Sequence, residues 1–305
     1  MKKYELTDES IEVWTNNGAI TLHRIKALKD FRYIKKGTLG GFIEDEKNLS
    51  QDGECWVYND AKVYENARVF DNAIVYNQVS VLGNAKIYGN AVVANDAVIY
   101  GDTAVFNHAC IYGRPLINGS SQIYGESKIC GNATISGNAE IFGEATVAGT
   151  VFGNAKVYDK AEVSTNATVS GQSKIYGKAK VGDKARVHDN AQIYGSAFIE
   201  GADICGDAKI YGTAQICDSH VIIENVSINN PYGVLTVGPI ANKHSRNDNY
   251  ITFYKDQSVP YGDILVVYGS FRGTLDDFLE KWSIDAYSRD YKAAAELAKI
   301  CLATP

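Results

Sequence analysis

The chain has 305 residues and a mass of 33.3 kDa, long enough for two or three domains and a sizeable core. Its formal net charge of −6 gives no general attraction to nucleic acid or anionic membrane, so neither is expected as a partner. Five prolines and 28 glycines in a chain with 20 tyrosines point to β structure rather than disorder.

The start, MKKYELTDES, lacks the apolar core of a signal peptide, and no stretch approaches the roughly 18 apolar residues of a membrane span. Cys55, Cys110, Cys130, Cys205, Cys217 and Cys301 form neither a CxxC pair nor a secreted framework, so a reducing cytoplasm is expected. Residues 1–41 then read as short strands, YEL, AITLHRI and FRYI, with turn signals at Asn16-Asn17-Gly18. They predict a small N-terminal β cap.

Residues 42–230 carry a repeat. From Trp56 to about Asn229, Val or Ile recurs every sixth position, often followed by Tyr or Phe, then Gly/Asn/Asp, Asn/Asp and Ala. Within AKVY, strand alternation turns Ala and Val inward and Lys and Tyr outward. The Gly-Asn pair that follows tolerates the positive φ of a sharp corner. Three such sides close a triangular coil of 18 residues, so the fold predicted is an all-β solenoid, a parallel β-helix.

The period stumbles at ATVAGTVFGNAKVY, where Val157 follows Val147 by ten residues instead of twelve. If Val151 centres a full side with a shortened corner, one aromatic series stays in register. That series is Phe70, Tyr88, Phe106, Tyr124, Phe142, Tyr158, Tyr176, Tyr194 and Tyr211, and it also absorbs a second contraction between Ile199 and Ile204. The stumble therefore reads as a clipped corner in a continuous array of about ten coils, each rising ~4.8 Å.

Two outward surfaces are candidates for binding. Arg68, Lys86, Lys156, Lys174 and Lys209 each precede a ladder aromatic by two residues, giving a basic, aromatic stripe with Phe70, Tyr88, Tyr158, Tyr176 and Tyr211. An anionic ligand or partner would suit it; a self-stacking ladder beneath snorkelling lysine stems is the structural alternative. On another side, Trp56, Tyr58, Ile74, Tyr76, Val92 and Tyr112 form an apolar outer patch that predicts a homo-oligomer, a trimer first and a dimer second, with cover by a terminal domain as the alternative. The histidines are His23, His108, His188, His220 and His244. His188 faces outward from its coil, and His220 and His244, near the end of the repeat, are the candidates for a catalytic base. Scattered histidines and cysteines on different sides argue against a metal site, and no P-loop or nucleophile elbow occurs.

Residues 231–305 leave the repeat. GVLTVGPI, NYITFYKD and GDILVVYGSF predict three strands, and two helices follow with Thr274 and Ser288 as N-cap candidates, a C-terminal α+β domain.

The inward Val/Ile with Ala four residues later resembles the left-handed hexapeptide-repeat β-helix family, in which many acyltransferases are found. The residue after Val/Ile departs from that family, being Tyr or Phe here where those enzymes carry a small residue. Right-handed bactofilin-like polymers are the other solenoid that the repeat brings to mind, and the hand stays open between them. Gly37 to Tyr58 is similar to the corresponding segment of a bacterial hexapeptide-repeat family named for transferases, with no proven chemistry attached. The tail, with Gly238-Pro239, Ser245-Arg246-Asn247 and Phe271-Arg272-Gly273-Thr274, resembles a small domain recurrent in predicted phage and prophage proteins. No long loop interrupts a corner to hold a catalytic base, so the leading expectation is a self-associating, non-catalytic binding or scaffold protein, which the tail's resemblance makes of phage type, acting in the host cytoplasm on a host or viral protein or a small anionic ligand, with no cofactor. Counter-defence by sequestration would fit that design. The alternative is an acyltransferase with a CoA thioester donor, and a structural polymer is a third.

Overall fold

Each hexad folds as a two-residue strand and a tight corner. Val57 is fully buried, the corner closes when the Ala61 amide donates to the Tyr58 carbonyl at 3.1 Å, and Asn59 between them takes a φ of 55°. The next coil stacks in parallel: Val57 pairs with Val75, Val75 with Val93, and Val93 with Ile111. Ala61, Ala67 and Ala73 are wholly buried beside these valines, where the narrow corner leaves room only for a methyl group.

The computed structural model describes residues 2–15, 18–217, 221–224, 226–229, 234–237, 250–255, 263–283 and 288–302. Internal contacts divide the chain into two units, Met1–Lys160 and Ala161–Pro305. The first holds six coils and the second four, each coil contributing one strand to each of three sheets. Among the described residues no helix is long and apolar enough to cross a membrane.

In the first unit the stumble is a clipped corner. Only Ala148 and Gly149 separate the strands Thr146–Val147 and Thr150–Val151, and pairing continues sixteen residues apart, Ile135 with Val151 and Ile141 with Val157. Asparagines run down the corners as side-chain ladders. Asn59 donates to Asn77 at 3.0 Å, Asn66 to Asn84 at 3.2 Å, and Asn84 to Asp102 at 2.8 Å. These bonds tie successive coils outside the core, and Asn59 and Asn77 themselves take the left-handed conformation, with φ of 55° and 66°.

The first coil's open edge is capped from its own chain. A hairpin, β1 (Tyr4–Thr15) and β2 (Gly18–Ala27), pairs through β3 (Leu39–Ile43) onto Lys62–Val63. Buried Lys3 extends its ammonium to the carbonyls of Asp52, Gly53 and Cys55 at 3.2, 3.4 and 3.1 Å, and the Asn48 amide donates to those of Glu65 and Ala67 at 3.1 and 2.8 Å. Edge carbonyls that would otherwise template another strand are thus used. Burial lowers the Lys3 pKa, opposed by the adjacent Cys55.

The second unit contracts once more. Arg186 pairs with Asp203 and Val187 with Ile204, seventeen residues apart, and the spacing widens to nineteen where Asp203 meets Ile222. Its C-terminal part is a four-stranded antiparallel sheet in the order Val234–Val237, Ile251–Lys255, Ile264–Tyr268, Phe271–Thr274, followed by helices Leu275–Lys281 and Ser288–Leu302. Phe253, Val266, Phe278, Tyr291 and Ala295 form the shared core. Three strands were expected; the fourth, Phe271–Thr274, forms because Gly269 takes a φ of 54° and folds the chain back on Tyr268. Thr274 caps its helix in a reciprocal pair with Asp277, and Ser288 is the first helical residue of the next.

Candidate functional site

Parallel stacking with an 18-residue period places like side chains above one another. In the first unit Phe70, Tyr88, Phe106, Tyr124, Phe142 and Tyr158 stack ring on ring, with centroids 4.8–5.0 Å apart and planes within 10° of parallel. Phe142 and Tyr158 lie on either side of the clipped corner and still stack at 4.8 Å. In the second unit Tyr176, Tyr194 and Tyr211 do the same at 4.8 and 5.0 Å.

This geometry narrows what the stripe can bind. An interior ring has both faces covered by its neighbours, so no base or planar ligand can stack there. What faces solvent is ring edges, tyrosine hydroxyls and the flanking cations. Burial raises the pKa of Tyr88, with Asp71 adding to it, and likewise of Tyr124, with Glu140 adding; both remain hydrogen-bond donors at neutral pH. Arg68 and Lys86 are exposed, the Arg68 guanidinium lying 5.8 Å from the Phe70 ring centre. Lys156 is different: it pairs with Glu140 at 2.7 Å, so its charge is largely spent within the row. Lys174 and Lys209 are exposed in the second unit.

The apolar outer patch loses its largest member. Trp56 points out of its coil but is fully buried, with the rings of Tyr4 and Phe31 packed edge-on at 6.2 and 5.4 Å. Its lid is the chain's own cap, because the cap must cross the first coil to reach the edge carbonyls. Tyr58, Ile74, Tyr76 and Val92 are half-buried, while Tyr112 is 43% exposed.

His220 and His244 lie outside the described residues. His23 holds the Thr7 carbonyl at 3.2 Å, and His108 is exposed at a corner. His188 is the exception to a scattered distribution. Its Nε2 lies 2.9 Å from Asp203 Oδ1 and its Nδ1 3.1 Å from Asp189 Oδ2, and Asp203 also faces Arg186 at 3.8 Å. The ligating atoms of His188, Asp189 and Cys205 fall within 4.8 Å of one another. The sequence read alone sets the cysteines and histidines on different sides. The seventeen-residue register corrects that, because Val187 pairing with Ile204 sets His188 level with Cys205. The signal was present in RVHD and DICG, had the second contraction been followed side chain by side chain.

With both ring nitrogens facing carboxylates, His188 directs neither toward an incoming nucleophile, as an acyl-transfer base must. The Cys205 thiol is pushed up to about 11 by burial and by the carboxylates of Glu224, Asp203 and Asp189, so it stands as a protonated thiol. On the terminal sheet a depression of about 380 Å³ is lined by charges of both signs, Lys255, Asp263, Asp276 and Lys299, and has no resultant preference.

Residues 85–101 match a family model described as YdcK beta solenoid repeat. The chain is also 36% identical over 63 residues to a protein of Escherichia coli (strain K12) named "Uncharacterized acetyltransferase YdcK". That stretch covers 19% of this chain and 19% of the relative's length. Both similarities support a β-solenoid repeat.

Proposed function

We propose that the protein is a non-catalytic binding solenoid that presents its ladder face to an acidic partner. The observation that carries this reading is the stacked ladder of Phe70 to Tyr158 with exposed Arg68 and Lys86 beside it. An internally stacked row has little side-chain freedom left to lose on binding, and because Tyr alternates with Phe along it, hydroxyl donors are preorganised on every second coil, roughly 9.6 Å apart, with Arg68 and Lys86 on two adjacent coils beside them. The half-buried Ile74, Tyr76 and Val92 with exposed Tyr112 form the surface on which a second copy would dock, giving a homo-oligomer. No cofactor enters this design, and the cytoplasm is its setting. The tail's resemblance to phage and prophage proteins makes a host or viral protein the partner to test first. Poly-L-glutamate serves as a probe. The wild type is expected to bind it at low salt, and Arg68→Glu with Lys86→Glu to abolish binding while circular dichroism stays unchanged. Equal binding by the double variant would remove the ladder face from consideration.

Acetyl transfer from a CoA thioester is the second reading, favoured by the name of the E. coli relative. It would require His220 or His244 as base, since His23, His108 and His188 are each exposed away from a cleft or already engaged.

A further inference from the structure

The second contraction brings together side chains of a kind that recur in transition-metal sites. Arg186, Val187, His188 and Asp189 run alongside Asp203, Ile204, Cys205 and Gly206, and the His188 amide donates to the Ile204 carbonyl at 3.0 Å. His188 and Cys205 are therefore outward neighbours on adjacent coils, and Asp189 occupies the corner beyond them with a φ of 57°. The Gly206 amide donates to Asp189 Oδ2 at 3.1 Å and holds that carboxylate beside the imidazole. The Cys205 sulfur lies 3.6 Å from the Ile223 carbonyl, to which it can donate.

We propose that His188 Nδ1, an Asp189 carboxylate oxygen and Cys205 Sγ bind a divalent transition-metal ion of the zinc type, with Asp203 as the positioning residue on His188 Nε2. Three observations lead there. First, ligand atoms of these three residues lie within 4.8 Å of one another, while a tetrahedral ion with bonds of about 2.0 Å to N or O and about 2.3 Å to S draws its donors to roughly 3.3–3.5 Å apart. Small side-chain rotations on a fixed backbone close that gap. Second, a neutral imidazole carries one hydrogen but here faces two carboxylates, at 2.9 and 3.1 Å. Both contacts are attractive only when a cation, proton or metal, sits at one nitrogen. With Nε2–H donated to Asp203, the Nδ1 lone pair faces Asp189, the carboxylate–histidine–metal relay that fixes the ring in many metal sites. Third, the mixed N, O and S donor set selects zinc-like ions over magnesium or calcium, which take oxygen.

On binding, the thiol proton leaves to solvent and the sulfur lone pair forms the metal bond, so the site changes by two positive charges from the ion and loses one with the proton. Three protein donors leave a fourth position for water or for a donor from a partner. The site is separate from the ladder face and stands or falls independently of it.

X-ray absorption on the zinc-loaded full chain, at one equivalent, tests the proposal without mutation. The expected shell holds one sulfur at about 2.3 Å and the remaining donors as nitrogen or oxygen at about 2.0 Å. A shell without sulfur, or with two or more, overturns it, as does a failure to retain zinc through gel filtration. Cobalt(II) titration then assigns the residues. The thiolate-to-cobalt absorption expected in the wild type should vanish in Cys205→Ser, and Asp203→Asn should weaken cobalt affinity 10–100-fold. Six cysteines are present, so a band that survives Cys205→Ser places the metal elsewhere and refutes the assignment.

Discussion

Gly119→Ala and Gly131→Ala form a matched pair that tests how the coils stack. Both glycines turn corners in the left-handed region, with φ of 73° and 62°. Alanine there costs roughly 1–2 kcal/mol at either position. The surroundings differ. A Cβ at Gly119 would lie 2.5 Å from the Gly137 carbonyl oxygen and 2.7 Å from its nitrogen, backbone atoms of the next coil that cannot swing aside. At Gly131 a Cβ meets nothing within 4 Å, for the next coil takes this corner with only Ala148 and Gly149. Forcing a methyl group into packed backbone adds about 1–3 kcal/mol, so Gly119→Ala should lose about 2–5 kcal/mol and Gly131→Ala about 1–2. Urea denaturation followed by circular dichroism and tryptophan fluorescence reads the difference, with the slopes compared to check that the unfolding unit is unchanged. Equal losses, or a larger loss at Gly131, would refute the clipped-corner geometry.

Trp56→Ala should destabilise the chain by about 3–5 kcal/mol, the usual cost of truncating a buried aromatic. Because Tyr4 and Phe31 form the lid, the loss should not vary with protein concentration; a concentration-dependent loss would put a second copy there instead. Ile74→Asp with Tyr76→Lys leaves the coil interior intact and should lower the mass measured by light scattering, whereas an unchanged mass would exclude this patch as the assembly surface. Alkylation should reach exposed Cys301 and Cys217 first and Cys55 and Cys205 last. Burial raises both slow thiols, Cys205 to about 11, so their thiolate fraction and labelling rate should climb only as pH rises toward that value. Rapid labelling of Cys205 at neutral pH would contradict its burial.

The coil was legible because its physics is local and repeated. Val57, Ala61 and Tyr58 state in one hexad which side chains turn inward, and the aromatic series carried the register through Val147–Val151 without any knowledge of the backbone. The helix start at Thr274 was equally visible, since a cap and its partner Asp277 sit three residues apart. Two features escaped, one because it depends on a stretch outside the repeat and the other because it sits at a contracted step of it. Trp56 was assigned to an outer surface correctly relative to its coil, yet its cover comes from Tyr4 and Phe31, which the repeat does not mention. His188 and Cys205 carry no spacing motif, and only the pairing of Val187 with Ile204 makes them neighbours. The basic stripe was legible as composition but not as charge, because Glu140 and Lys156 cancel across the shortened sixteen-residue step.

Calorimetric titration of the full chain with acetyl-CoA tests most directly whether this solenoid binds rather than catalyses. The account predicts no saturable heat at micromolar concentrations and no release of free CoA on prolonged incubation. Saturable micromolar binding that is lost in His220→Ala or His244→Ala, with turnover lost alongside it, would contradict the account and make the protein an acyltransferase.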